Sequence, residues 1–366
     1  MTNLRWAGPA WETERGGELV ADWVWYLALA GAVLAALGGV ALTAPYFYIR
    51  ARYLDHVVRI FEEKPLFVIP RGKAPPDADE VGFPTAGGLQ LKGCYVQGRG
   101  PRRGVVLFGL EFGSNRWACL PYCATLLERG YDVFSYEPRS QGTSDVDPNY
   151  SPLQWVTEHD VADMRAAVAY LKTRPETTPE SGIGVFGVSK GGSLALAIAA
   201  EDPFVRCVVT DGAYATRTTV IPFIRRWASI YVKKTPAWVR RAAPDGIYGL
   251  FSDAAIRRSA RGREVVFPAL ERVLHKVEVP VQMIHGGGDT YISPAMAEAL
   301  YTRIPAGAKH LWVVPKAKHN QAVQVAGEEY GRRVAKFLDA NLYAEEPAVI
   351  LPLPAEPAAG RAVARA

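Results

Sequence analysis

The apolar run Ile183-Gly184-Val185-Phe186 leads directly into Gly187-Val188-Ser189-Lys190-Gly191-Gly192, and a helical stretch, Ser193-Leu194-Ala195-Leu196-Ala197, follows at once. Strand, glycine-flanked serine and helix in that order predict a sharp turn that thrusts one hydroxyl outward. Only residues without side chains fit where a backbone doubles back so tightly. A tight turn with a capping serine uses the same residue types, so the reading rests on what surrounds it.

The surroundings alternate. Short β-branched or aromatic runs at residues 104–108, 131–136, 183–186, 205–209, 281–284 and 311–314 predict strands. Several are apolar on both parities, as parallel strands covered on both faces are. Helical patterns fill most of the gaps; Val161, Met164, Ala167, Val168 and Leu171 recur at helical spacing. The chain is therefore expected to form an α/β domain over residues 79–343, a mostly parallel sheet with helices on both faces and right-handed crossovers. Residues 216–278 are far longer than one crossover needs. They mix Ile221, Phe223, Trp227, Ile230, Tyr231 and Trp238 with Arg225, Arg226, Lys233, Lys234, Arg240 and Arg241. They read as an inserted helical cap, either a satellite with a solvated basic face or a surface that touches anionic lipid.

Ahead of the domain, no charged residue occurs from Trp23 to Ile49. About 20 residues, 23–42, suffice for roughly 30 Å of hydrocarbon, so 23–49 is expected to be a transmembrane helix. Trp23, Trp25 and Tyr26 at one edge and Tyr46, Phe47 and Tyr48 at the other supply the interfacial rings. The 1–22 flank carries Glu12, Glu14, Glu18 and Asp22 where a cleaved signal peptide needs a basic start. Arg50, Arg52, Arg59, Lys64, Arg71 and Lys73 follow the span, against Arg5 and Arg15 before it, which puts the large domain on the cytoplasmic side. Gly31, Ala35 and Gly39 give the span a stripe of small residues through which two such helices can approach. Residues 50–78 are expected to continue as an interfacial helix and then a Pro-rich linker, and the Ala- and Pro-rich 344–366 as a disordered tail.

The 42 basic and 37 acidic residues are scattered along the chain, which argues against a nucleic-acid-binding arm. Cys94, Cys119, Cys123 and Cys207 are too few for a disulfide scaffold and form no C-x-x-C pair, so buried thiols, no metal and no cofactor are expected.

A serine hydroxyl at neutral pH needs an adjacent base, and the base needs a carboxylate to orient it. Downstream, the strand at 281–284 ends in His285-Gly286-Gly287-Gly288-Asp289, and that at 311–314 in Pro315-Lys316-Ala317-Lys318-His319-Asn320. Asp289 and His319 each follow a strand's carboxyl end, where the loops of an open sheet converge. His56, His159, His275 and His310 read as surface, capping or structural residues. His285 precedes three glycines, but an H-G-G-G oxyanion motif belongs upstream of the serine.

On these residues the chain resembles the α/β-hydrolase superfamily over roughly residues 80–343. Glu137-Pro138-Arg139-Ser140-Gln141-Gly142-Thr143-Ser144 is similar to the family's Asp-x-Arg-Gly-x-Gly-x-Ser turn, with Glu137 and Ser140 departing from it. The elbow is similar to that of acyl-CoA thioesterase and bile-acid acyltransferase relatives. The resemblance implies Ser189 as nucleophile, His319 as general base then acid, and Asp289 as the group that holds the imidazole. Asp211, after the strand at 205–209, is the rival acid. The oxyanion hole is expected from the backbone N–H of Lys190 and a second donor after the strand at 104–108, first Phe112 and then Glu111. A charged Glu111 there would oppose an oxyanion unless it paired with Arg116 or Arg139. Lys190 offers either an ammonium for an acidic substrate group or a side chain packed on a neighbour.

The implied function is a membrane-anchored serine hydrolase acting on a small-molecule or lipid ester or thioester. Acyl transfer or peptide cleavage by the same residues is the alternative chemistry. A tethered binding module without activity is the alternative class, because a fold does not by itself imply activity.

Overall fold

Among the described residues, eight strands form one sheet in the order β1-β2-β4-β3-β5-β6-β7-β8. The computed structural model describes residues 11–63, 69–75, 78–231 and 245–343. The strands are β1 (Asp79–Pro84), β2 (Gln90–Val96), β3 (Gly104–Gly109), β4 (Tyr131–Glu137), β5 (Ile183–Val188), β6 (Val205–Asp211), β7 (Val281–Gly286) and β8 (Lys309–Val314). β3 through β8 pair in parallel, and β2 runs antiparallel to both β1 and β4.

Alternation along the strands assigns the two faces. Val105, Leu107, Val185 and Val208 point to a core shared with α3 (Glu158–Leu171) and α4 (Lys190–Ala199). Val106, Phe108, Phe186 and Val209 point to a core shared with α2 (Leu120–Glu128) and the C-terminal α9 (Glu328–Asn341). β5 lies near the middle and is buried at every position, which is why its sequence reads as continuously apolar. All four cysteines are buried and free.

The β1–β2 hairpin lies outside the sequence reading. Only Phe83 and Pro84's neighbour Thr85 are buried around the end of β1, an edge strand whose other positions are largely exposed. Its turn is closed by Thr85, which donates its N–H to the Leu89 carbonyl and accepts from Leu89 N–H at its hydroxyl, 3.1 Å.

Between β6 and β7 lie α5 (Thr216–Tyr231), α6 (Asp245–Arg263) and two short 3₁₀ turns, Leu270–Arg272 and Leu274–Lys276. These are the expected cap. His275 belongs to the second 3₁₀ turn rather than to a cap helix. Lys233, Lys234, Trp238, Arg240 and Arg241 lie outside the described residues, as do 1–10 of the N-terminal flank and the tail 344–366. The short helices α7 (Pro294–Tyr301) and α8 (Ala322–Ala326) follow β7 and β8.

One helix, α1 (Trp11–Glu62), takes up 52 residues, about 78 Å of rise. Residues 23–41 are exposed throughout, and by length and composition this part can cross a membrane. The helix expected to continue after residue 50 does so as part of α1, with its apolar side covered by protein. Residues 50–62 continue α1 and turn their apolar side onto the cap, with Leu54 packed against Ala254 and Ala255 and Phe61 stacked on Trp155 at 5.0 Å. The helix end is held too: Trp155 Nε1 donates to the Phe61 carbonyl at 2.6 Å and Gln154 Nε2 to the Glu63 carbonyl at 3.1 Å. Carbonyls in the last turn of a helix lack intrahelical donors, and these side chains supply them.

Of the expected linker, 64–68 and 76–77 lie outside the described residues. Residues 69–75 are pinned to the loop after β3: Gly72 exchanges two hydrogen bonds with the Asn115 amide, and Pro70 accepts from the Ser114 hydroxyl. Phe61→Ala should remove the Trp155 stack and leave a cavity at the junction of α1 and the cap. A loss of about 3–5 kcal/mol is expected, read as a lower denaturant midpoint of the full chain.

Candidate active site

β5 ends at Val188, and Ser189 follows with φ 52° and ψ −115°, a conformation that costs a non-glycine residue roughly 1–3 kcal/mol. The flanking glycines explain how the turn is held. A Cβ on Gly187 would sit 2.1 Å from the Gly191 carbonyl oxygen, and one on Gly191 would sit 2.0 Å from that of Gly109. The Ser189 N–H donates to the Asp211 carbonyl at 2.7 Å, tying the turn to the next strand. Lys190 opens α4, so its N–H has no carbonyl one turn earlier in the helix to bond.

Ser189 Oγ lies 2.9 Å from His319 Nε2, and His319 Nδ1 lies 2.7 Å from Asp289 Oδ2. A carboxylate only accepts, so Nδ1 carries the proton and Nε2 is the acceptor for the serine hydroxyl. The second oxygen of Asp289, Oδ1, accepts from the N–H groups of Tyr291 and Ile292 at 2.8 and 2.9 Å. The Tyr291 ring packs edge-on against the imidazole at 5.5 Å. The Gly286-Gly287-Gly288 run lets the acid loop lie against the histidine loop: a Cβ on Gly286 would be 2.4 Å from the Ala317 carbonyl oxygen, and Gly288 N–H donates to that carbonyl at 2.8 Å.

His285 sits under this loop. Its Nε2 bonds the Ile292 carbonyl at 2.8 Å, and burial holds its pKa below the ordinary imidazole value. It braces the segment that carries Asp289.

Asp211 is brought near the site but not onto the imidazole. Its Oδ2 accepts from the Tyr330 hydroxyl at 2.9 Å, and burial pushes its pKa up to about 7.

Glu111 departs from expectation. Arg116 pairs with Glu137 at 2.8 Å and Arg139 with Asp163 at 2.7 Å, so neither reaches Glu111. Instead the buried Glu111 carboxyl accepts from the Asn320 side-chain amide. Burial, with Asp211 nearby, pushes its pKa up to about 7. Asn320 follows His319 with φ 57°, so this bond clips the loop after β3 to the histidine loop. Neither Asn320 nor Tyr291 was singled out in the sequence, since each acquires its role through a contact made far along the chain.

The Lys190 ammonium is buried, 2.7 Å from Asp160 Oδ1 and 2.7 Å from the Leu153 carbonyl. It is a packed ion pair, the second of the two readings of this side chain. The Phe112 ring lies 5.6 Å from that ammonium. In the turn after β4, the Glu137 carboxylate accepts from Arg116 and from the Thr143 N–H, each at 2.8 Å.

The fold and this arrangement define an α/β hydrolase. A sequence profile described as "Alpha/beta hydrolase family" matches residues 104–336, and the chain belongs to that family. A thiohydrolase of Aspergillus aculeatus, aneE, is 31% identical over 133 residues, 36% of this chain and 40% of that protein. The chain thus matches only about two fifths of that relative's length. The uncharacterized protein YqkD of Bacillus subtilis is 27% identical over 270 residues, 70% of this chain and 78% of that protein. The esterase Pf2001 of Pyrococcus furiosus shares the fold with a TM-score of 0.55 at 23% identity, over 76% of this chain and 98% of that one.

The raised pKa of Glu111 has a calculable consequence. The folded state holds this proton more tightly than the unfolded chain, so the contribution is fully present below about 4.5 and is lost as pH rises through about 7. Glu111→Gln keeps an acceptor for Asn320 and cannot ionise. Its stability relative to wild type should rise between pH 5 and pH 8, by up to about 3 kcal/mol, in denaturant melts at several pH values.

Proposed function

We propose that this hydrolase is a membrane-anchored serine hydrolase that cleaves carboxylic esters or thioesters through an acyl-enzyme on Ser189. The observation that carries the reading is the continuous chain of hydrogen bonds from Ser189 Oγ through His319 to Asp289, at 2.9 and 2.7 Å. As Oγ attacks a carbonyl carbon, its proton passes to His319 Nε2, and Asp289 stabilises the imidazolium so formed. The negative oxygen of the tetrahedral intermediate is received by the backbone N–H groups of Lys190 and Phe112. His319 then returns the proton to the departing alkoxide or thiolate. Water, deprotonated by the same imidazole, attacks the acyl-enzyme and releases the acid.

Ester and thioester are both kept because the relatives include an esterase and a thiohydrolase. The anchor is α1. No side chain of its most apolar window is buried, which disfavours a soluble core helix. Its far end is hydrogen-bonded to Gln154 and Trp155, which favours a retained segment over a cleaved one. The basic residues after the span put the catalytic domain on the cytoplasmic side, and a substrate held at that surface, a lipid ester included, is within reach.

A fluorophosphonate probe should label the wild type in membranes and leave Ser189→Ala unlabelled; equal labelling of both would refute the assignment. Asp289→Asn should slow labelling by about 10⁴-fold through loss of the productive tautomer. Asp211→Asn should slow it by less than about tenfold, because its partner is Tyr330 and not the imidazole. The reverse order would transfer the acid's role to Asp211.

A further inference from the structure

The two cap helices lie along α1 in a fixed direction. α6 runs parallel to it: Phe251 meets Tyr46 at 5.2 Å between rings, Arg258 meets Asp55 at 3.1 Å, and Arg263 meets Glu62 at 3.1 Å. α5 runs antiparallel to α6, with Arg217 on Asp253 at 2.7 Å and Arg225 on Asp245. The C-terminal end of α5 and the N-terminal end of α6, together the tip of the pair, therefore point back along α1 toward its uncharged, exposed stretch.

Ile247 precedes Phe251 by about one turn and so lies at or beyond the level of Tyr46, where the aromatic edge of the uncharged run begins. The last turn of α5 follows Arg225, whose partner Asp245 opens α6, and so reaches past the start of α6 by roughly 8 Å. These two helix ends expose four large apolar side chains beside the Arg225–Asp245 pair: Ile230 is 47% exposed, Tyr231 61%, Ile247 42% and Leu250 51%. Trp227 stacks on Tyr231 at 5.1 Å and extends the patch inward.

Residues 23–41 are exposed and apolar, and on the anchored reading a bilayer that covers this stretch brings its surface to the hairpin tip. We infer that the tip of the α5–α6 hairpin, through Ile230, Tyr231, Ile247 and Leu250, inserts into the interfacial layer of the lipid bilayer that surrounds α1. The inference rests on the anchored reading above and extends it from a tether to a docked cap. It also connects the lipid to the site, because α5 runs from one to the other. Phe223, two turns before Ile230, packs on Tyr291 at 5.3 Å, and Tyr291 packs on His319 at 5.5 Å. An apolar cavity of about 20 Å³, lined by Val57, Ile60, Phe61, Trp155, Phe223 and Trp227, lies between α1 and α5 along the same line.

The four native cysteines are buried, so a single introduced thiol can carry an environment-sensitive nitrobenzoxadiazole dye on the full chain. Ile230→Cys and Leu250→Cys are compared with Val146→Cys, 73% exposed in the loop after β4, in vesicles of phosphatidylcholine and phosphatidylglycerol. Emission at positions 230 and 250 should shift to the blue and be quenched by lipids with a nitroxide just below the headgroup, about twofold more than at position 146. Emission at 230 and 250 that matches 146 while the protein resists carbonate extraction would overturn the inference and leave the anchor standing. A blue shift without lipid quenching would mean that protein covers the tip, and would overturn it too. Release of the protein by carbonate would remove the anchor itself, and the inference with it.

Discussion

The imidazole of His319 bridges two side chains, Ser189 and Asp289, that sit on different loops of one sheet edge, and the architecture can be read outward from that bridge. A hydrogen-bonded chain of this length tolerates displacements of only a few tenths of an ångström before it lengthens. The parallel register of β5, β6, β7 and β8 brings the loops that follow those strands to a common edge. Each loop is then fixed locally. The serine is held by a strained turn between close-packed glycines, the acid by two backbone N–H groups on its second oxygen, and the imidazole by the ring of Tyr291.

Around this bridge the buried charges fall into two kinds. Lys190 with Asp160, Arg139 with Asp163, and Arg116 with Glu137 are complementary pairs that brace the turns after β4 and β5. A buried ion without its partner costs several kcal/mol, so each pair fixes one arrangement of its loops more than it adds net stability. Among the described residues, neither Glu111 nor Asp211 is in a salt bridge with a lysine or arginine. Burial pushes both toward the neutral acid, and each accepts from a neutral side chain, Glu111 from the Asn320 amide and Asp211 from the Tyr330 hydroxyl.

The long N-terminal helix enters the same network from outside the sheet. Leu153, Gln154 and Trp155 form the link: the Leu153 carbonyl receives the Lys190 ammonium, Gln154 receives the Tyr291 hydroxyl and donates to the end of α1, and Trp155 stacks on Phe61. Three consecutive residues thereby touch the serine turn, the acid loop and the proposed anchor. The helix is thus a structural part of the cap, and its orientation is coupled to that of the hairpin beside it.

The sequence by itself determined the parallel core of the sheet, the cap's location between β6 and β7, and the residues Ser189, Asp289 and His319 as those to bring together. Apolar runs on both parities mark buried parallel strands, and a glycine-flanked serine between strand and helix can make few other shapes. It did not reveal the β1–β2 hairpin, because an edge strand with charged, exposed positions carries little hydrophobic period. Nor did it reveal that residues 50–62 pack on α6, since an amphipathic helix looks the same whether protein or lipid covers its apolar side. Only the tertiary structure decided the partners of Lys190, Glu111 and Asp211. A charged side chain's partner is chosen by which loops the sheet brings together, over separations of up to some 200 residues, as between Glu111 and Asn320, and no local pattern encodes that choice.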